Sequence, residues 1–336
     1  MQKRVDTLPN LIRVSVGSAI VLGLADGKLD AEPTTAYLMT YTAGKCTANC
    51  LFCPQARDSR SSAQLLSRVT WPTYPAAKVT AAVAQAFKAG KIRRVCIQAL
   101  NYPAVFADLE ALVAAIKAEA AVPLSVSCQP LKKANIKLLR DAGVDRLGVA
   151  LDGANQGVFD GAKGEGAGGP YRWSREFQLL GEALEVFGRG NVSTHLIVGL
   201  GETEQDAAML VQRCVDLGVL PALFAFTPVH GTAMEGCKPP TLESYRRIQL
   251  ARYLMVQGVA RAEGMMFDKE GKLVSFGLPK QVLEDAADSG EAFRTSGCQG
   301  CNRPFYNEKP SGPIYNYPRR LSEAEVEAAK RQLGLA

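Results

Sequence analysis

The sequence predicts an α/β fold of repeated strand–helix units, arranged as a barrel or as a doubly wound sheet. Three observations carry that prediction. Short β-rich runs alternate with longer amphipathic segments through most of the 336 residues, the pattern of βα repeats. Several longer segments stop at a glycine, at Gly90, Gly143, Gly188 and Gly218, and glycine most readily closes a helix in the left-handed conformation. With 47% apolar and 21% charged residues, the chain can bury a large core without disulfides, and disorder, collagen and a membrane channel are excluded.

Taken in order, residues 14–24 form an apolar run after a basic start and imitate a secretory leader. Arg13 at its edge and the lack of a small-residue cleavage site favour a buried helix, with a cytoplasmic location expected. Strands are expected at 35–40, 94–98, 124–128, 146–151, 192–198 and 220–226, and helices at 75–89, 106–120, 131–142, 175–187 and 203–217. Beyond Pro240 the pattern changes to a helix at 242–263, a strand at 272–276 and an irregular Gly/Pro/Asn/Tyr-rich stretch at 297–318. A last helix is expected at 321–333, opening on Ser322 with Glu325 three residues on, a capping box. Residues 161–169 (GAKGEGAGG) have almost no side chains that could pack, and the loop after the first strand is long and holds three cysteines. Both loops are expected on the functional rim.

The net charge of +6 is spread without a Lys/Arg block, so it makes no case for nucleic acid and is compatible with an acidic partner. No stretch reaches the roughly 18 apolar residues of a membrane span. Nine cysteines, an odd number, do not make a disulfide framework, and clustered thiols point to metal or redox chemistry.

Cys46, Cys50 and Cys53 stand as CxxxCxxC (CTANCLFC). Three thiolates on one short loop can hold three irons of a 4Fe–4S cluster and leave the fourth open. A zinc knuckle is the competing reading, although it wants four closed ligands and neither His195 nor His230 is near in sequence. The motif, with Phe52 just before its last cysteine and repeated βα units after it, resembles the radical S-adenosylmethionine superfamily. That resemblance implies a TIM-barrel-like (βα) barrel, a 4Fe–4S cluster on Cys46, Cys50 and Cys53, and S-adenosylmethionine chelating the open iron, with Phe52 among the cofactor contacts. It further implies reductive cleavage to a 5′-deoxyadenosyl radical that abstracts hydrogen from an unactivated carbon, with reduced ferredoxin or flavodoxin as electron donor.

Other matches resemble the biotin and lipoyl synthase branch. HLIVGLGET (195–203) is similar to that branch's fifth-strand motif, which implies that Gly199, Gly201 and Glu202 shape the adenine site. On the residues alone, a strand followed by a Gly-rich turn reads equally as packing. Asp152 in VALD resembles the acidic residue that binds the ribose hydroxyls, but the family's upstream Asn is here Ala150. Arg175, and beside it Arg172, are candidates for the cofactor carboxylate, or else exposed helix-start arginines.

Cys298 and Cys301 form a second pair, and two ligands cannot close a tetrahedral site. Their partners are sought among Cys96, Cys128, Cys214 and Cys237. In biotin synthase the strand positions matching Cys96 and Cys128 carry cluster ligands, a third falls here at Ser193, and its arginine ligand has no match. The expected site joins Cys96, Cys128, Cys298 and Cys301 in an auxiliary iron–sulfur cluster of 4Fe–4S type, against the alternative of buried strand thiols. Cys214 and Cys237 are expected bystanders.

The tail GCQGCNRPFYNEKP (297–310), followed by YNYPR (315–319), resembles a component of the two-protein lipoyl synthases of archaeal type, formerly described as biotin-synthase-related. This implies sulfur insertion into an octanoyl chain on a lipoyl carrier domain, sulfide from the auxiliary cluster, and a sister radical enzyme as partner. Arg303, Tyr306, Asn307 and Arg319 are candidates to position substrate or cover the second cluster. The implied division is an N-terminal segment (1–34), a barrel core (35–240) and a C-terminal extension (241–336) that completes the barrel and binds the auxiliary cluster. Alternatives are a biotin-synthase-like or other small-molecule sulfur insertion, and a non-catalytic iron–sulfur or zinc carrier or scaffold.

Overall fold

A computed structural model describes residues 7–129 and 132–335. The chain opens with β1 (Leu11–Val14), the short helix α1 (Val16–Val21) and β2 (Thr35–Met39). A small hairpin follows, β3 (Leu65–Leu66) and β4 (Val69–Thr70), then β5 (Thr73–Pro75) and α2 (Ala76–Lys88). The repeats continue as β6 (Arg94–Gln98), α3 (Val105–Glu119), β7 (Leu124–Ser127), α4 (Lys133–Asp141), β8 (Arg146–Gly148), α5 (Gln156–Ala162) and α6 (Trp173–Phe187). They close with β9 (Val192–Val198), α7 (Glu204–Leu217) and β10 (Leu220–Ala225). The C-terminal part holds α8 (Leu242–Val256), the hairpin β11 (Met266–Phe267) and β12 (Leu273–Ser275), α9 (Lys280–Asp288) and α10 (Glu323–Leu333).

One sheet has the order β10-β9-β8-β7-β6-β2-β1-β5. Its six strands from β2 to β10 are parallel and lie in chain order, so each crossover helix packs on the outside and the sheet curls as a barrel. The expected α/β barrel is therefore the fold. β1 pairs antiparallel with both β2 and β5, and among the described residues no strand joins β10 to that far edge. The barrel is open on one side.

Local chemistry explains most boundaries. Thr203 and Asp206 form a capping box at the start of α7, and Ser322 and Glu325 do the same for α10. The apolar run at 14–24 is not one helix: Val14 ends a strand, and Ser15 caps a helix of only six residues. The helix expected to reach 263 stops at Val256 because Gly258, at φ +70°, cannot continue it. Leu131, the expected start of the fourth helix, lies outside the described residues, and α4 begins at Lys133.

Side chains alternate across the strands. One face, with Leu38, Val95, Ile97, Val126, Leu147 and Leu196, is buried beneath the helices. The opposite face carries the small Ser125, Ser127, Gly148, Ser193 and Ala222 beside the larger Tyr37, Met39, His195 and Phe224, and the small ones leave interior space unfilled. A cavity of about 600 Å3 therefore occupies the barrel.

The C-terminal segment seals the open side and the floor. Ser296 Oγ accepts from Leu223 N at 2.7 Å, and Arg303 donates to Leu223 O at 3.2 Å, both on β10. The segment then reaches the N-terminal ends of β2 and β6, where Thr34 donates to Gly300 O (2.6 Å) and Asn302 Oδ1 (3.0 Å) and Arg94 donates to Gln299 O (3.4 Å). Arg246 of α8, 1% exposed, holds it from below through Ile314 O and Tyr315 O, each at 2.6 Å. Residues of the N-terminal segment, the barrel and the C-terminal extension share one apolar core. Among the described residues no helix is long and apolar enough to cross a membrane.

Candidate active site

The cysteine loop leaves β2 at the C-terminal mouth of the barrel, where βα-loops gather. Backbone bonds fold it back on itself: Cys46 N donates to Gln55 O (2.9 Å) and Cys53 N to Cys50 O (2.9 Å). Neighbouring loops hold it, with Leu51 N bonded to Ala162 O (2.8 Å) and Thr47 N to Asn101 O (2.8 Å). Cys46, Cys50 and Cys53 all line the cavity, as does Phe52. Asn101 N donates to Cys46 Sγ at 3.2 Å. Burial pushes the Cys50 thiol well up and the Cys53 thiol up to about 12, while the ammonium of Lys163 beside Cys50 and that of Lys45 beside Cys53 oppose the shift. N–H donors and ammonium groups aimed at clustered sulfurs suit an anionic thiolate-bound group. Among the described residues no three His, Cys, Asp or Glu side chains converge as a cage for a single metal ion. A cluster shares its thiolates among several irons and does not need that convergence.

Beside this loop Asp152 is 7% exposed and adopts φ +62°, an uncommon conformation for a non-glycine residue. Its strain is held by the sheet: Asp152 N donates to His195 O (2.8 Å) and Asp152 O accepts from Ile197 N (2.9 Å). Lys163 Nζ pairs with Asp152 Oδ2 at 2.8 Å. Nearby, Glu176 of α6 is 2% exposed, and burial raises its carboxyl to about 7. His195 borders the same cavity, and burial lowers its imidazole to about 4.

At the floor of the cavity a second set of thiols comes together. Cys96 on β6 faces inward, and its neighbours Cys298 and Cys301 add to burial in raising its thiol. Tyr37 Oη lies 3.1 Å from Cys301 Sγ, Ser125 Oγ lies 3.9 Å from Cys298 Sγ, and Gln98 donates to Cys96 Sγ at 3.2 Å. Arg94, 7% exposed, donates to Ser125 Oγ at 2.8 Å, and its buried Nε has no partner among the described residues. Arg303 stacks over Phe224 at 3.7 Å from the ring centroid. A buried guanidinium with an orphaned donor, next to three thiols, fits a negatively charged group seated among them.

Not every expected site residue reaches the cavity or its thiols. Cys128 does not join Cys96, Cys298 and Cys301. β7 ends at Ser127, and Cys128 just past it borders the cavity but is buried beside Glu176, its thiol pushed up to about 12, whereas Cys96 has Cys298 and Cys301 for neighbours. Arg175 pairs with Glu182 at 2.9 Å and is not a wall of the cavity. Arg172 sits 3.5 Å from Glu165 at the surface. Glu202 turns back on its own loop, accepting from Gly199 N (2.6 Å) and Leu200 N (3.0 Å). Gly199, at φ +107°, packs so that a Cβ would meet Pro240 Cδ at 2.8 Å, whereas Gly201, at φ +120°, has open space around it. Arg303, Tyr306 and Asn307 line the cavity, but Arg319 faces Glu325 at 2.8 Å on the exterior. Cys214 is buried in α7 and Cys237 is exposed. Lys163 was not singled out in the sequence; a lone lysine in a run of glycines was the available signal.

An open parallel barrel with a CxxxCxxC loop at its mouth defines a class of cluster-binding barrel proteins. Residues 40–214 match the radical SAM superfamily, and the chain belongs to that superfamily. A biotin synthase from Alkalilimnicola ehrlichii is 27% identical over 234 residues, 67% of this chain and 65% of that protein. Among solved structures, methylornithine synthase (PylB) is similar at a TM-score of 0.51 with 14% identity, covering 66% of this chain and 62% of that one. The FeFe-hydrogenase maturase HydG from Carboxydothermus hydrogenoformans is similar at 0.51 with 15% identity, covering 88% and 66%. The chain thus spans just under two thirds of each of these relatives, and the structural likenesses bear on the fold. Membership of the superfamily implies a 4Fe–4S cluster and S-adenosylmethionine.

Proposed function

We propose that the chain is a radical enzyme that inserts sulfur into an unactivated carbon of an octanoyl chain carried on a lipoyl carrier domain. Cys46, Cys50 and Cys53 would hold the 4Fe–4S cluster at the mouth, with Phe52 and Asp152 toward the cofactor. When bound, that cluster and S-adenosylmethionine supply the radical that takes hydrogen from the substrate. Cys96, Cys298 and Cys301 would hold an auxiliary iron–sulfur cluster, the source of sulfide, with Ser125 and Tyr37 adjacent as oxygen donors. The observation that carries this reading is the single cavity bounded at one end by Cys46, Cys50 and Cys53 and at the other by Cys96, Cys298 and Cys301. A substrate carbon between the two ends meets both hydrogen abstraction and a sulfur donor, and the enclosing walls keep water from a reactive radical.

The octanoyl carrier reading rests on the tail motif and on a net charge of +6, which suits an acidic carrier domain. A sister radical enzyme would complete the second insertion, and reduced ferredoxin or flavodoxin would supply electrons. Similarity to a biotin synthase favours a second reading, sulfur insertion into a small molecule such as dethiobiotin. The test is anaerobic turnover of reconstituted protein with S-adenosylmethionine and either octanoylated carrier or dethiobiotin. Mass spectrometry of products, with 5′-deoxyadenosine as the measure of cleavage, decides between them. A thiolated carrier supports the first reading, thiolated dethiobiotin the second, and 5′-deoxyadenosine without sulfur in either product removes sulfur insertion.

A further inference from the structure

The tail closes the open side of the barrel except at one gap. Among the described residues that wall the cavity, only Val16, Lys28, Asp30, Thr70 and Pro310 are exposed. None of them belongs to the cysteine loop or to a parallel strand; they lie on α1, the loop before β2, the hairpin β3–β4 and the tail. Four ties join those pieces into a ring. Val14 N donates to Pro72 O at 3.0 Å, which sets the hairpin beside β1, and α1 leans on the loop, where a Cβ on Gly17 would meet Pro33 at 3.8 Å. The loop meets the tail through Thr34 N and Asn302 Oδ1 (3.0 Å), and Arg68 of the hairpin donates back to the tail at Phe305 O (2.9 Å) and Glu308 O (2.5 Å). Among the described residues, the non-glycine residues at positive φ are Asp152 at the mouth and Ser67, Arg303 and Phe305, at +50°, +33° and +52°, all three on this ring. Backbone held off its preferred regions gathers where ligands are clamped.

Inside the ring the wall is apolar. Leu66 and Val69 pack with Trp71, Met39 and Tyr37, and the same cluster takes in Cys96 and Cys301 of the lower triad and Cys46 of the upper. The path from the gap thus ends between the two triads. It suits an unbranched aliphatic chain, since a charged group would lose its water there with no opposite charge among these side chains. A protein carrier is far too large for a cavity of about 600 Å3, so only its acylated lysine arm enters. The mouth is lined by the three cysteines of the upper triad, and the floor is tied shut at Thr34 and Arg94. We propose that this ring is the entrance for the acyl chain, with the carrier held outside against the exposed rim. This rests on the octanoyl-carrier reading above. The chain itself then stoppers the gap and keeps water from the reacting carbon.

The experiment is photo-crosslinking of cluster-loaded protein, with S-adenosylmethionine and no electron donor, to a lipoyl carrier domain whose octanoyl chain bears a diazirine next to the amide. Peptide mass spectrometry locates the adducts, and excess plain octanoylated carrier identifies the specific ones by suppressing them. Adducts on residues 66–70 and 305–310 are expected. Specific adducts confined to any other surface, the cysteine loop at 46–57 foremost, overturn the entrance and leave the carrier reading standing. No suppressible adduct at all removes the carrier reading and the entrance with it. Thr70→Trp and Pro310→Trp narrow the gap from opposite sides, both at exposed positions where added bulk spares the core. Each should weaken binding of octanoylated carrier, read by fluorescence anisotropy, by about tenfold relative to binding of the unacylated carrier. A ratio that stays at the parent value in both variants overturns the assignment.

Discussion

The two thiol triads of this barrel are built in opposite ways. Cys46, Cys50 and Cys53 come from eight consecutive residues, on a loop whose own backbone bonds hold it in place. Cys96, Cys298 and Cys301 come from a strand and from a tail some two hundred residues later, and they meet only because the tail docks across the floor of the barrel. The upper site is therefore a property of local sequence, and the lower one a property of the finished fold. Damage to packing far from either site should harm the lower one first.

The largest expected effect separates their chemical roles. Cys53→Ala should abolish formation of 5′-deoxyadenosine, whereas Cys301→Ala should leave that cleavage intact and stop sulfur transfer, as read by product mass spectrometry. A Cys301 variant that still thiolates substrate at the parent rate would make the lower triad structural. Next in size is the question of which strand thiol belongs to it. Cys96→Ser should lose about four irons of the parent's total, while Cys128→Ser, whose thiol lies beside Glu176, should lose none. Iron and sulfide analysis after anaerobic reconstitution gives both numbers.

A smaller effect tests the dependence on docking. Arg246 donates to Gln249, Gln332, Ile314 O and Tyr315 O from a fully buried position. Arg246→Met should cost about 3 kcal/mol of stability. In denaturant it should release the lower iron before the upper, seen as two steps in visible absorbance; simultaneous release would show that the triads share one fate. The smallest effect is on pH. Burial holds the His195 imidazole down at about 4, with Arg303 and Lys163 adding to the shift and Asp152 opposing it. An unfolded chain takes up that proton near 6.5, so the stabilising contribution is complete above 6.5 and is lost as pH falls toward 4. His195→Gln should flatten the fall in denaturation midpoint across that window; an unchanged profile would place the acid sensitivity elsewhere.

The same contrast explains how much could be read in advance. The six parallel strands and their helices follow from period and glycine stops, and CTANCLFC announces the upper site because its ligands are neighbours in sequence. Cys298 and Cys301 could be read as a pair for the same reason. Their third partner was half legible. Cys96 and Cys128 both border the cavity, but Cys96 has Cys298 and Cys301 for neighbours, while Cys128 lies past the end of β7 beside Glu176. A boundary drawn from sequence is not fine enough to tell a thiol within a strand from one just past its end, where the strand no longer sets its direction. β1 and β5 escaped notice because strands of four and three residues carry too few alternations to register. Lys163 escaped because a loop of glycines reads as empty, whereas Gly164, Gly166 and Gly169 pack the chain closely around it, with no room for a Cβ at Gly164 or Gly169.

The tail that seals the barrel also sets a sequence of events in time. During synthesis the upper loop is exposed long before Cys298 and Cys301 have been made, and the floor cannot close until residues as far as Tyr315, held by Arg246, are available. The mouth of the barrel can thus be furnished with metal while its base is still open. Whatever must enter from below has a period of free access that ends with docking of the tail.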